Sequence, residues 1–202
     1  MYNNFGDKKM IETEKKCKLP EKFLNFLKDN ARNFGECVCE DIYLDFEDFR
    51  LIKNDIWLRL RNGKYELKVP VSGEKQSDVY EEIEDENQIL KKLNLKNFDD
   101  LVEKFSLVTH RRKFKFGEFN IDADEVTSPG KNFSCSLAEI ELMTESADEY
   151  EIAQQKIFEF MRDHEITNEV VNGKCVEYIK KYYPELFEFM IRSPRHAKRI
   201  KI

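Results

Sequence analysis

The residues best placed to do chemistry lie in DIWLRLRNGKYELKVP, residues 55–70. Asn62-Gly63 is a strong hairpin signal, because both central residues of a type I′ turn need positive φ. With a two-residue loop Arg61 faces Lys64, Arg59 faces Glu66 and Trp57 faces Lys68. Strand alternation then gathers Trp57, Arg59, Arg61, Lys64, Glu66 and Lys68 on one side. Ile56, Leu58, Leu60, Tyr65, Leu67 and Val69 form the other side, the one expected in a core. A row of cations suits a bound anion, and guanidinium forks suit phosphate oxygens in particular. In a lone hairpin such a face is more often simply solvated, so its meaning depends on what the other strands bring.

They bring charge of the same alternation. Residues 10–17 read as a strand with Glu12, Glu14 and Lys16 on one face, and a strand over about 37–45 puts Asp41, Tyr43 and Asp45 together. Residues 79–84 place Tyr80, Glu82 and Glu84 on one side. Residues 107–126 read as two strands around a turn near Gly117: the first carries Thr109, Arg111, Lys113 and Lys115, the second Asn120, Asp122 and Asp124. The last strand, 136–143, sets Glu139 and Glu141 against Ala138, Ile140 and Leu142. Helical spacing predicts helices over 20–30, 86–94, 97–105, 147–164, 174–182 and the apolar ELFEFMI before the tail.

Strands that all carry charge on one face and hydrocarbon on the other are accommodated by closing into an antiparallel barrel, polar inside, with helices covering the apolar outside. Lys16, Arg59, Arg61, Lys68, Arg111 and Lys113 would then meet Glu12, Glu14, Glu82, Asp122 or Asp124, Glu139 and Glu141. Buried charges are costly unless paired or liganded. An interior nearly neutral when empty accepts a polyanion only with hard cations, which take oxygen ligands. The expected site is therefore a Mg²⁺-dependent one for a chain of phosphates, with Mn²⁺ as the alternative ion.

Composition sets the bounds. The 202 residues suit one domain, residues 1–191, followed by a basic tail, 192–202, poor in core-forming residues and expected to be a loose end. A net charge of −6 argues against a general nucleic-acid binder. No apolar run reaches membrane-spanning length and no signal-peptide core is present, so a cytoplasmic, non-membrane protein is expected, monomeric by default. The five cysteines form no zinc-spaced set and read as reduced thiols. Nucleotide-loop and catalytic-triad patterns are absent from the sequence.

The ordered set IETEKK, EDIYLD, WLRLR with YELK, YEEI, VTHRR, NIDAD, AEIE and GKCVEYI resembles the CYTH superfamily, the triphosphate tunnel metalloenzymes, and within it the thiamine triphosphatases. The resemblance covers about residues 10–190. It implies an α+β fold built on a closed eight-stranded antiparallel tunnel that hydrolyses the terminal phosphate of a small-molecule triphosphate with Mg²⁺. It further implies that Arg59, Arg61, Lys68, Arg111 and Lys174 hold phosphates. Glu12, Glu14, Glu82, Glu139, Glu141 and Asp122 or Asp124 would hold metal. Lys16 and Tyr43 would form a catalytic pair, and Trp57, otherwise a packing residue, would stack on the thiamine. A Lys crowded by cations can have a lowered pKa, which would let Lys16 and Tyr43 exchange a proton. Leu44 departs from the pattern, standing where that branch carries a second Tyr. Tripolyphosphatase, nucleoside triphosphatase and non-catalytic polyphosphate binding are the competing expectations.

Overall fold

The alternation of the sequence is realised as one eight-stranded sheet in which every ladder is antiparallel. The computed structural model describes residues 11–70, 80–144, 149–169, 171–196 and 200. Its strands are β1 (Ile11–Cys17), β2 (Arg32–Asp45), β3 (Trp57–Arg61), β4 (Lys64–Pro70), β5 (Tyr80–Ile83), β6 (Val102–Phe116), β7 (Phe119–Thr127) and β8 (Ser134–Thr144). They lie side by side in the order β1-β8-β7-β6-β2-β3-β4-β5. The helices are α1 (Glu21–Asn30), α2 (Arg50–Lys53), α3 (Glu86–Leu93), α4 (Tyr150–Asp163), α5 (Lys174–Tyr182) and α6 (Pro184–Arg192).

Turn chemistry sets the register. Asn62 and Gly63 have φ of 48° and 81°, as a type I′ turn requires, and the ladder pairs Arg61 with Lys64, Arg59 with Glu66 and Trp57 with Lys68. The Asn62 amide N–H donates to the Glu40 carbonyl at 3.0 Å and its side-chain oxygen accepts from the Glu40 N–H at 2.9 Å, tying the turn to β2. The β6–β7 turn uses Gly117 at φ 59°.

The sheet is strongly curled. In a flat sheet β8 and β4, five places apart in the order, would be separated by roughly 24 Å. Instead the sheet wraps around the start of α5, where Gly173 lies against Lys16 of β1 and Lys174 bonds Asp41 of β2, four places away in the order. The expected closed barrel is thus met as a curled sheet whose edges are β1 and β5. Among the described residues no ladder joins those edges.

On the convex face α1 and α4 cover one flank, burying Phe23, Leu27, Ile157 and Phe160 against Cys17, Phe114, Ile121 and Ile140. On the other flank Ile89 of α3 packs on Leu58, Leu67 and Ile83, and the Asp85 carboxylate caps α3 by accepting from the Gln88 N–H at 2.8 Å. Helices α5 and α6 depart from the outer layer. Tyr178, Ile179, Leu186 and Met190 pack on Tyr43, Phe105, Leu107, Val126 and Leu137, side chains of the same strand face as the charges. One end of the concave face is therefore apolar and filled by this helix pair.

Three expectations need correction. Residues 97–105 are not a helix: Asn97 forms a local turn by accepting from the Asp99 N–H, and β6 begins at Val102. Leu101, Val102 and Phe105 fit a helical stripe, which strand alternation splits between two faces, and pairing of Phe105 with Tyr43 of β2 decides for the strand. Strand β2 starts at Arg32 rather than near 37, drawn out by its ladder with β6. Within the basic tail, His196 and Ile200 are buried, Ile200 in the cluster around α5 and α6. The proposed start of α4 at Ala147 falls outside the described residues, which show the helix from Tyr150.

Phe114, at 1% exposure under α1 and α4, tests this packing. Phe114→Ala is expected to lower the unfolding free energy by about 3–5 kcal/mol in urea titration, whereas the exposed Phe34→Ala should change it by no more than about 0.5 kcal/mol.

Candidate active site

The charged side of the hairpin finds its counter-ions on neighbouring strands. Asp41 of β2, 1% exposed, accepts from Arg61 Nε at 2.6 Å and Nη2 at 2.9 Å, and from Lys174 Nζ of α5 at 2.7 Å. Lys174 also donates to Thr109 Oγ1 at 2.8 Å, and Arg59 lies 3.9 Å from Asp41 while its Nε donates to Glu66 at 2.7 Å. Burial alone would raise the pKa of Asp41, but Arg61, Lys174 and Arg59 outweigh it and hold the carboxyl well below the usual range.

A second cluster forms around Arg111 of β6. Its guanidinium is bidentate to Asp124, with both bonds at 2.7 Å, reaches Asp122 through Nη1, and donates to Glu139 at 2.9 Å. Alternation could not choose between Asp122 and Asp124, and both are bound to this arginine. Glu139 in turn lies 3.4 Å from Lys16 Nζ, which is also paired with Glu14. Gly173, at the start of α5, lies against the stem of Lys16, so α5 touches both clusters. Lys68 is paired with Glu82 at the open edge.

Carboxylates outnumber cations in this network. Glu14, Asp41, Glu66, Glu82, Asp122, Asp124 and Glu139 stand against Lys16, Arg59, Arg61, Lys68, Arg111 and Lys174. Glu141, opposite Glu14 across the β1–β8 ladder, adds another. Oxygen atoms of Glu14, Glu139 and Glu141 lie within 4.8 Å of one another, an oxygen-only donor set of the kind hard divalent ions take. Of the carboxylates expected to hold metal, these three converge, while Asp122 and Asp124 serve Arg111 and Glu82 serves Lys68. The side chain of Glu12 lies outside the described residues.

Lys16 and Tyr43 both lie against the start of α5, Lys16 at Gly173 and Tyr43 at Cys175. Burial works against the charge on Lys16, but Glu14 and Glu139 outweigh it and raise the pKa. The lowered value expected from crowding by cations is overturned, because the nearest charges are carboxylates. Tyr43, 3% exposed, is stacked on Phe105 at 4.8 Å, is edge-on to Trp57 at 6.5 Å and contacts the Cys175 sulfur. Burial raises its pKa well above the usual phenol value. Trp57 is half-buried on the charged face, and its Nε1 donates to Asp55 at 3.1 Å. Lys113 is exposed and Lys115 donates to Asn120 and to the Glu118 carbonyl, both at the rim. The described cysteines are free thiols, and burial pushes Cys17 up to about 12, which leaves it inert.

Sequence reasoning placed Asp41, Glu66 and Thr109 on the correct face and gave them no role. The available signal was EDIYLD itself, where Asp41 precedes Tyr43 by one alternation. Its cation partners come from β3 and α5, which no local spacing connects.

The pH dependence of stability follows from this pairing. Burial would raise the pKa of Glu139, but Lys16, Arg111, Lys68 and Lys174 outweigh it and bring it down to about 2. A carboxylate depressed in the fold stabilises it above the unfolded pKa, and the contribution is lost as pH falls through the folded one. Stability should therefore decline from about pH 4.5 toward 2, partly offset by Asp122, which burial shifts upward. Urea unfolding measured across this range should show a flatter decline for Glu139→Gln, and parallel profiles would contradict the pairing.

Residues 10–170 match the CYTH domain family. No curated protein matches the chain. Among solved structures, a protein of Pyrococcus horikoshii is 24% identical at a TM-score of 0.56, covering 77% of this chain and 91% of its own. A Vibrio parahaemolyticus protein described as an adenylate cyclase candidate is 18% identical at 0.54, covering 78% and 90%. A Hippeastrum adenylyl cyclase candidate, described as having a dominant triphosphatase activity, is 15% identical at 0.56, covering 87% and 98%. These likenesses concern the fold, and the family match spans most of the sequence that builds the charged sheet face: the chain belongs to the CYTH family.

Proposed function

We propose that this protein hydrolyses small-molecule triphosphates, thiamine triphosphate foremost, to the diphosphate and phosphate with Mg²⁺, acting as a cytoplasmic monomer. The observation that carries this reading is the convergence of six cations and a carboxylate trio on one curled sheet face. Membership of the CYTH family and the triphosphatase activity described for the Hippeastrum relative support it. No helix among the described residues is long and apolar enough to cross a membrane.

Phosphoanhydride hydrolysis needs charge neutralisation and an aligned water more than covalent chemistry. Arg59, Arg61 and Lys174, gathered on Asp41, are pre-oriented to exchange that carboxylate for phosphate oxygens. Arg111 and Lys68 extend the cationic wall. Lys16, held charged by Glu14 and Glu139, places a fixed cation where the phosphate chain meets the carboxylate trio. Glu14, Glu139 and Glu141 fit a hard divalent ion, Mg²⁺ or Mn²⁺, which when bound neutralises phosphate charge and polarises water. Trp57, on the same face as Arg59 and at the start of β3, offers a flat ring to a cationic heterocycle. Tyr43, stacked and buried, shapes the wall beside it.

The competing reading, tripolyphosphate or nucleoside triphosphate as substrate, differs in what Trp57 contributes. Phosphate release should be measured with thiamine triphosphate, tripolyphosphate and ATP, each with Mg²⁺ and with chelator. Turnover is expected to require metal, and Lys16→Ala should lower kcat at least about a hundredfold on every substrate. Trp57→Ala should lower kcat/KM for the thiamine ester by roughly tenfold and spare tripolyphosphate; equal loss on both would count against stacking. Absence of hydrolysis for all three would overturn the enzymatic reading in favour of polyphosphate binding.

A further inference from the structure

Asp55 belongs to neither charge cluster, yet it is 3% exposed and sits at φ 62°, a left-handed conformation that non-glycine residues seldom adopt. Its backbone N–H donates to the Ile52 carbonyl at 2.9 Å, which anchors it to the turn after α2. One carboxylate oxygen, Oδ1, accepts from Trp57 Nε1 at 3.1 Å and from Tyr80 O–H at 2.9 Å, and His196 Nδ1 lies 3.7 Å away. Groups from β3, from the edge strand β5 and from the C-terminal segment therefore meet on a single atom.

The consequence falls on Trp57. An indole side chain has two torsions, and its N–H is its sole hydrogen-bond donor. With Nε1 bound to Asp55 and the ring edge-on to Tyr43 at 87°, the plane of Trp57 is held from both sides. Asp55 is itself held by its backbone hydrogen bond and by its other partners, so the ring inherits the rigidity of a buried node. A strained backbone persists where the surroundings over-determine it, and such positions cluster at functional sites.

We propose that Asp55 is a positioning residue which fixes the plane of Trp57 and thereby sets the preference for a triphosphate bearing a flat cationic ring over a bare polyphosphate. The inference rests on the triphosphate site proposed above. Tyr80 secures Asp55 from the sheet edge through its hydrogen bond, and the buried His196 of the C-terminal segment lies beside the same carboxylate.

Trp57 is the single tryptophan of the chain, so indole fluorescence reports this ring alone. Asp55→Gly tolerates the positive φ and removes the carboxylate; Asp55→Ser serves if that variant does not fold. Either should lower the anisotropy of Trp57 and shift its emission. Either should also reduce the kcat/KM preference for thiamine triphosphate over tripolyphosphate by roughly tenfold. Asp55→Asn, whose amide oxygen still accepts from Nε1, should restore both. Unchanged fluorescence and preference in a folded variant overturn the inference. A preference lost in Trp57→Ala but kept in Asp55→Gly also overturns it and leaves the proposed function standing. If the unaltered protein hydrolyses no triphosphate, the proposed function falls, and the fluorescence comparison decides by itself whether Asp55 holds the ring.

Discussion

Opposite charges packed on the inner face of a curled sheet are the constraint around which this protein is arranged. An ionised side chain removed from water costs several kcal/mol unless partners replace its hydration. Asp41 has two forked contacts from Arg61 and one from Lys174, and Arg111 has three carboxylates, so neither stands alone. Such pairing contributes little net stability compared with apolar packing of the same volume. It does keep the side chains in place, extended and ready to change partners. Stability comes instead from apolar burial, on the convex face under α1, α4 and α3 and at the concave end filled by α5 and α6.

The helix pair α5–α6 connects the apolar and polar halves of the concave face. Tyr178 and Ile179 are buried on Phe105 and Leu107, while Lys174, at the first turn of the same helix, reaches Asp41 and Thr109. Apolar packing at one end thus delivers a cation to the other. The stem of Lys16 against Gly173 places that helix start within reach of β1 as well. The helix closes off one end of the sheet and supplies part of its charge.

Much of this was legible in the sequence for a simple reason: strand alternation has a period of two, so parity alone assigns a face. The Asn62-Gly63 turn secured the hairpin register, and the charged faces of β1, β6, β7 and β8 followed from the same rule. Parity says nothing about which charges meet across strands. Asp41 therefore passed without a role, and the environment of Lys16 was read with the wrong sign. The stretch 97–105 reads as a helix because Leu101, Val102 and Phe105 have helical spacing, and only the long-range ladder with β2 overrides it. His196 is buried beside Asp55, more than a hundred residues earlier, and no local pattern signals it.

The excess of carboxylate over cation in the ion-paired network gives the account its most exposed claim, that polyanions enter together with divalent metal. Calorimetric titration of tripolyphosphate into the protein, with Mg²⁺ and with chelator, tests it directly. Binding that tightens by at least about a hundredfold when Mg²⁺ is present is the predicted result, since a divalent charge offsets close-range repulsion worth several kcal/mol. Equally tight binding in chelator would contradict it, because the cations would then be holding phosphate without help from the carboxylate trio.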